Sequence, residues 1–426
     1  MAGPAIRCIE LARQLQSEFE VCVFSPGGGA TEYTQPPTDS FKIIAGAGKT
    51  QLYDLAKEFD ILIVQANVLK NYPGLGRLEK FLIVDLYDPI LFSLLVQFQD
   101  EPVTASSSYR LMHQVLERHM LAADFCLCAS ERQRDYYLGR FCALGRIDPD
   151  MYAFDPSLRK LIDVAPFGVS QVKAVKQSVG MRGLPGISES DFVLIWGGGV
   201  WDWFDPLTVI KAVEILSKKQ NNIKLFFMGV HSPNPQVPRM SMAAKAEELA
   251  RESGLLNKNV FFNESWVPYE KRADYLLEAD VAVSAHYDLI ETRFSFRTRI
   301  LDYFWAGLPT ITTTGDDLSN LIETSKAGIT TGYENVDDWV KAISTLSENE
   351  SLRKQYAENA ANLRQKFYWS QSAEPIARFC RDPYKLPPHQ RVTMPSILER
   401  AQAVYARGGT DLVINRSKEL LKDLLR

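Results

Sequence analysis

The chain has 426 residues, more than one hydrophobic core ordinarily organises, and 46% of them are hydrophobic, so two domains with full cores are expected. A net charge of −4 offers no global attraction for nucleic acid, and the six cysteines at 8, 22, 126, 128, 142 and 380 form no CxxC pair or His-Cys cluster, so neither a nucleic-acid partner nor a zinc site is expected. No apolar run approaches the roughly 18 residues of a membrane span, and no secretory signal is visible.

The chain opens on Gly3-Pro4, a helix start, followed by Ile6, Ile9, Leu11 and Leu15 at helical spacing. Short apolar runs then recur between helical patterns, at 20–24, 41–44, 61–64, 81–86, 125–129 and 163–165, which reads as parallel βαβ units. Within them Cys126 and Cys128 read as buried thiols of a reducing cytoplasm. A seam at 167–190, rich in Gly, Ser, Val and Lys, separates this series from a second at 192–196, 224–228, 260–262, 281–285, 310–313 and 328–330. Helical periodicity follows over 336–346 and 352–367. Pro383, Pro387 and Pro388 then interrupt any helix, and 412–425 reads as a terminal amphipathic helix expected to pack on the first domain. The fold class is therefore α/β, with two Rossmann-like doubly wound domains facing each other across a cleft where the ligand binds. The expected divisions are 1–172, 173–375 and a tail at 376–426.

The chemistry concentrates at the carboxyl ends of these strands. After the run at 281–285, a polar turn carries Glu291, Arg293, Ser295, Phe296 and Arg297, and a helix reads from Arg299 to Ala306 with Asp302 inside it. The first N–H groups of a helix lack internal partners and face the positive end of its dipole, so this turn is an anion site suited to a diphosphate, with Asp302 within reach of a ribose. Guanidinium groups of Arg293, Arg297 and Arg299 suit phosphate oxygens. Gly197, Gly198 and Gly199, directly after a strand, let the backbone approach a ligand closely, and Asp205-Pro206 caps the next helix. Gly229 and the loop at 263–269 hold equivalent positions, and His286 stands at the mouth of the site.

In the first half, Asp85 and Asp88 follow an apolar strand and would project toward the cleft, where a carboxylate can orient a hydroxyl. The competing reading of Asp88 is an Asx turn before Pro89. Residues 130–134 form a further acceptor-side candidate. Gly46 to Thr50 imitates the end of a P-loop without its first glycine, and Gly27 to Gly29 lacks the spacing of a dinucleotide fingerprint, so neither carries a function.

The strand, the acidic turn and Asp302-Tyr-Phe-Trp-Ala-Gly307-Leu-Pro309 together resemble the carboxyl-terminal signature of the retaining nucleotide-sugar glycosyltransferases of family four, which have the GT-B architecture. The resemblance extends over nearly the whole chain, with Ala165-Pro-Phe-Gly168 in the place of the interdomain strand end. It implies that the second domain holds a nucleotide-sugar donor, with UDP as its nucleotide, and that the first holds a glycan or lipid-linked acceptor. By resemblance the donor contacts are Gly198, Gly199, Gly229, Trp266, Val267, His286, Ser295, Phe296, Arg297, Arg299 and Asp302, where Trp266 and Val267 hold the base and Asp302 stands for the second of two family glutamates. The first family glutamate falls at Phe294, and Glu291 lies three residues upstream. The family's phosphate-binding Arg and Lys after the glycines are replaced by Val, Trp and Phe.

The resemblance implies transfer with retention, the departing phosphate taking the acceptor's proton, with Asp88 and Glu291 as the catalytic carboxylates. It calls for no cofactor and no metal, and implies a cytoplasmic enzyme of cell-surface polysaccharide synthesis in peripheral contact with the inner membrane surface. Family members also carry a central first strand before the Gly3-Pro4 loop. We therefore expect a reading frame that starts upstream, a gap in the first sheet of this chain, and acceptor-side roles for Asp85, Gly3 and Arg7; an intact mass of the native protein tests the start. Two alternatives remain: a GT-B sugar-nucleotide epimerase and a non-catalytic nucleotide-sugar-binding protein.

Overall fold

The computed structural model describes residues 3–25, 38–46, 48–65, 68–98, 102–230 and 240–388, with 402, 405, 409–410 and 412–414 as short helical pieces. The expected terminal helix at 412–425 and the loop after Val230 thus fall largely outside the described residues. Among the described residues are twelve strands, all paired in parallel and within two residues of the expected runs. β1 (Cys22–Ser25) pairs with β2 (Lys42–Ala45). β3 (Ile61–Gln65), β4 (Phe81–Asp85), β5 (Phe125–Cys128) and β6 (Ile162–Val164) form a four-stranded sheet in that order. The second domain has β7 (Phe192–Trp196), β8 (Ile223–Phe227), β9 (Val260–Phe262), β10 (Val281–Ser284), β11 (Thr310–Thr313) and β12 (Gly328–Thr331), ordered β12-β11-β10-β7-β8-β9. β7 and β8 are apolar at nearly every position because both faces are covered by helices, and every residue of both is buried.

Among the described residues β1 and β3 share no ladder, so the first domain carries two separate parallel sheets. Helix α1 (Gly3–Leu15) lies over both: Ile9 and Ala12 pack with Phe41 near β2, and Ile6, Leu11 and Leu15 pack with Ile83 and Leu127. Ile63 of β3 is left 44% exposed, high for a parallel strand.

The helices that position the cleft are α2 (Ile90–Gln97), α3 (Glu131–Ala143), α4 (Pro206–Ser217), α5 (Ile290–Phe294), α6 (Thr298–Ala306), α7 (Asp317–Thr324) and α8 (Trp369–Arg381). The chain crosses between domains twice, and the crossings bond to each other: Val169 N–H donates to Phe367 O (2.7 Å) and Trp369 N–H to Val169 O (3.2 Å). The expected boundary at 375 falls inside α8, which contains Pro375 and returns to pack on α1 and stack Phe379 on Phe125 at 5.3 Å. The polar seam is laid onto the second domain by two carboxylates one turn apart: Asp274 accepts from the N–H groups of Gln177 and Ser178, and Glu278 from those of Gly180, Met181 and Arg182.

Candidate active site

Between β10 and α6 the backbone makes a short helix, α5, where the sequence had suggested only a turn. Glu291 explains the detour. Its carboxylate accepts from Arg297 Nη2 (2.7 Å) and Nη1 (3.2 Å) and from the Ser295 hydroxyl, closing the segment between the two helices. Both partners of this ion pair are buried. Phe294, at the position of the family's first glutamate, turns to the other domain and stacks on Phe92 at 5.1 Å and against Tyr136 at 5.4 Å. Phe296 is half-buried against Phe367, and Arg293 is exposed. Gly307 ends α6 with φ 69°, a left-handed cap that suits glycine and allows the chain to enter β11 directly.

Arg299, in the first turn of α6, is the counterpart that Arg297 is not. Its Nη2 donates to Gly199 O (2.6 Å), and its guanidinium lies 4.1 Å from the Phe204 ring and 5.0 Å from that of Trp196. Gly199 and Phe204 belong to the segment that lacks the expected basic pair, so α6 supplies a cation to that place. Among the described residues Arg299 makes no ion pair and its buried Nη1 has no hydrogen-bond partner, while the neighbouring Tyr303 hydroxyl favours its charged form. Burial lowers the Arg299 pKa to about 10. Gly198 adopts φ 89°, and among the described residues nothing lies within 4 Å of where a side chain would stand on Gly198 or Gly229, at the ends of β7 and β8. Tyr303, one turn beyond Arg299, receives the Gly197 N–H at 2.9 Å and donates to Val283 O at 3.0 Å, fixing α6 to β7 and β10. The sequence signal for Tyr303 was its i,i+4 spacing from Arg299.

His286 is fully buried, and its backbone bridges to Phe204. Nε2 lies 3.1 Å from Thr314 O and so carries the proton, leaving Nδ1 as an acceptor with no donor among the described residues. Burial, reinforced by Arg297, pushes its pKa down to about 3, so the ring is neutral and suits a hydroxyl better than a phosphate oxygen. Asp302 accepts from Arg272 Nε at 2.9 Å. Arg272 is held between the rings of Tyr269 (3.5 Å) and Trp305 (4.1 Å), while Asp302 remains 26% exposed. Trp266 is exposed and Val267 half-buried in the loop after β9, which Asn263 ties to β8 through Met228 O.

Across the cleft Asp88 opens to solvent among densely packed protein. That surrounding raises its carboxyl pKa to about 6, with Glu291 adding to the shift and Arg297 and Ser93 opposing it. The Ile90 N–H donates to the Asp88 main-chain carbonyl at 2.8 Å, while the Asp88 carboxyl meets the Ser93 hydroxyl in the first turn of α2. Asp85 and Arg7 have a different arrangement from the acceptor contact expected of them. They form a two-pronged buried pair at 2.7 and 3.1 Å, and Arg7 also donates to Pro166 O and Ala165 O. All of this guanidinium's nitrogens are engaged inside the protein, where they tie α1 to the end of β4 and to the interdomain crossing. Gly3 merely opens α1, half-buried.

Residues 203–363 match the family profile described as glycosyl transferases group 1. A D-inositol 3-phosphate glycosyltransferase of Corynebacterium kroppenstedtii is 22% identical over 229 residues, 54% of this chain and 48% of that protein, so the match spans about half the relative's length. Sucrose-phosphate synthase of Thermosynechococcus elongatus superposes with a TM-score of 0.65 at 15% identity, covering 89% of this chain and 93% of the other. Anabaena HepE, solved with UDP and glucose, gives 0.65 at 16% identity over 89% and 96% of the two chains. WaaG, a glycosyltransferase of lipopolysaccharide biosynthesis, gives 0.60 at 16% over the same shares. These likenesses show a GT-B fold.

Proposed function

We propose that this chain, whose residues 203–363 match the glycosyl transferases group 1 profile and which folds as GT-B, transfers a sugar, with retention, from a UDP-sugar to a hydroxyl acceptor. The observation that carries this reading is Arg299, a largely enclosed guanidinium with no carboxylate, beside an open glycine turn and a helix N-terminus. A cation so placed is completed by an anionic ligand. The diphosphate lies over Gly198 and Gly199, with Arg299 and the α6 amides facing its oxygens. Asp302 takes the ribose hydroxyls, and the loop at Trp266 and Val267 takes the base. The choice of UDP is supported by the Anabaena neighbour, solved with UDP and with UDP-glucose.

As the bond from the anomeric carbon to the phosphate oxygen breaks, its electron pair and a full charge move onto the diphosphate. Arg299 and the helix amides are preorganised for that charge. The acceptor oxygen bonds to the anomeric carbon on the face the phosphate leaves, and its proton passes to the departing phosphate oxygen. Asp88, on the opposite wall, orients the acceptor hydroxyl; Glu291 acts through Arg297 as a positioning residue, and Arg7 with Asp85 braces the acceptor-side wall. No metal or cofactor is needed in this scheme. The acceptor is a glycan or lipid-linked alcohol of cell-surface polysaccharide synthesis, reached from the cytoplasm at the membrane surface. No helix among the described residues is long and apolar enough to cross a membrane.

Calorimetric titration with UDP, and with GDP for comparison, tests the donor site. UDP binding that weakens in Asp302→Ala and in Arg299→Met supports the assignment; no binding of either nucleotide overturns it. Turnover of UDP-sugars with and without acceptor alcohols then separates transfer from epimerisation.

A further inference from the structure

The first turn of α3 belongs to the acceptor-side domain, yet its side chains end in the other one. Ser130 caps the helix by accepting from Gln133 N–H, which directs the next side chains across the cleft. Arg132 Nη1 donates to Arg293 O (3.0 Å) and to Gly315 O (2.9 Å), and Nη2 pairs with Asp317 at 3.0 Å. Gln133 Nε2 donates to Phe294 O at 2.9 Å, while its Oε1 accepts from Ala129 N–H.

These acceptors are the end of α5 and the start of α7. A five-residue helix has little stability of its own, and its last carbonyls have no partners within it. Here the opposite domain supplies those partners. Between α5 and α7 stand Glu291, Arg297 and Asp316. Arg297 Nε lies 4.0 Å from Asp316 Oδ2, and both atoms are buried without a hydrogen bond among the described residues. That network is incomplete and depends on its flanking helices to stay in register.

We propose that Arg132 is a positioning residue of the donor site, supplied by the acceptor-side domain, so that the Glu291–Arg297 turn takes its working geometry only when the two domains are latched. The proposal rests on the donor reading above. It makes closure and site assembly one event: a donor bound to an open molecule would lie over a turn whose end carbonyls have lost their donors.

The test uses the full chain with Arg132→Ala, Arg132→Lys, Asp317→Ala and the Arg132→Ala/Asp317→Ala double variant. Arg132 is 27% exposed and Asp317 32%, so the folded state should tolerate each change, as circular dichroism checks. Small-angle scattering with UDP present should show a larger radius of gyration for Arg132→Ala. Its kcat should fall at least about tenfold while UDP affinity stays within about threefold. Lysine should recover part of the loss, because an ammonium keeps the pair with Asp317 but cannot span two carbonyls. The double variant should lose less than the sum of the singles. Unchanged scattering and unchanged kcat in a folded, UDP-binding Arg132→Ala overturn the proposal. If the wild-type chain binds neither UDP nor GDP, the donor reading fails by itself; scattering of Arg132→Ala without nucleotide then decides the latch, and no change there overturns it too.

Discussion

Two arginines in one turn, Arg297 and Arg299, should respond in opposite ways to the same substitution. Arg297 forms a two-pronged pair with Glu291, closest at 2.7 Å, and the two side chains are 4% and 3% exposed. Methionine at 297 would leave Glu291 buried without its cation, and breaking such a pair costs about 3–5 kcal/mol. Arg299 has no carboxylate to abandon among the described residues. Methionine there removes one hydrogen bond to Gly199 O and the contacts with Phe204 and Trp196, but it also removes the cost of enclosing an unpaired guanidinium, and its thioether can pack on the same rings. The two terms nearly cancel, so the stability of Arg299→Met should stay within about 1 kcal/mol of the parent. Nucleotide affinity should show the reverse. Loss of a charge-assisted bond to a phosphate is worth about 1.5–3 kcal/mol, or roughly 10- to 150-fold in Kd for UDP. Denaturant unfolding and calorimetric titration of both variants measure the pair of effects. If Arg299→Met were destabilised as much as Arg297→Met and still bound UDP with parental affinity, the assignment of Arg299 as the ligand's counter-charge would be refuted.

Asp88 should make stability pH-dependent in a defined direction. Its carboxyl rises from 3.8 to about 6, so the native state holds this proton more tightly than the unfolded chain does. The resulting stabilisation is complete below pH 3.8 and is lost as pH rises through about 6. Asp88→Asn should remove that component, and parallel pH profiles for parent and variant in denaturant melts would count against it. Glu291→Gln should move the Asp88 titration down, as NMR of the carboxyl can follow, because Glu291 contributes to the rise. Gly168→Ala would place a methyl 2.5 Å from the Trp369 indole at the domain crossing; about 1–3 kcal/mol of lost stability is expected in a thermal melt, and a neutral outcome would show the crossing to be loosely packed. Asp302→Ala should weaken UDP by ~1.5–3 kcal/mol, and unchanged affinity in the folded variant would remove the ribose assignment.

The twelve strands were legible because a parallel strand covered on both faces must be apolar almost throughout, and runs such as 192–196 have few other readings. The glycine turn after β7 and the helix start at α6 were legible for a similar local reason, since the glycines and arginines that mark them lie next to the strands and helix they serve. α5 was not, because its five residues carry no periodicity long enough to detect, and its formation depends on Glu291 meeting Arg297 and on Arg132 meeting its carbonyls. α8 runs through Pro375 and past the expected boundary because its packing against α1 and β5 comes from residues far away in sequence, which no local pattern near 375 announces.

The sequence by itself therefore determined the α/β class and the two series of parallel strands, since each follows from patterns that repeat within a few residues. Only the tertiary structure decided which charge meets which. Arg7 finds Asp85, 78 residues away, Arg272 finds Asp302, and Arg132 finds Asp317 in the other domain, while Arg299 meets the Gly199 carbonyl and no carboxylate among the described residues. A guanidinium has no local preference among carboxylates. Its partner is whichever one the packing of helices and strands brings within reach of a buried, weakly screened position, and that depends on the whole chain.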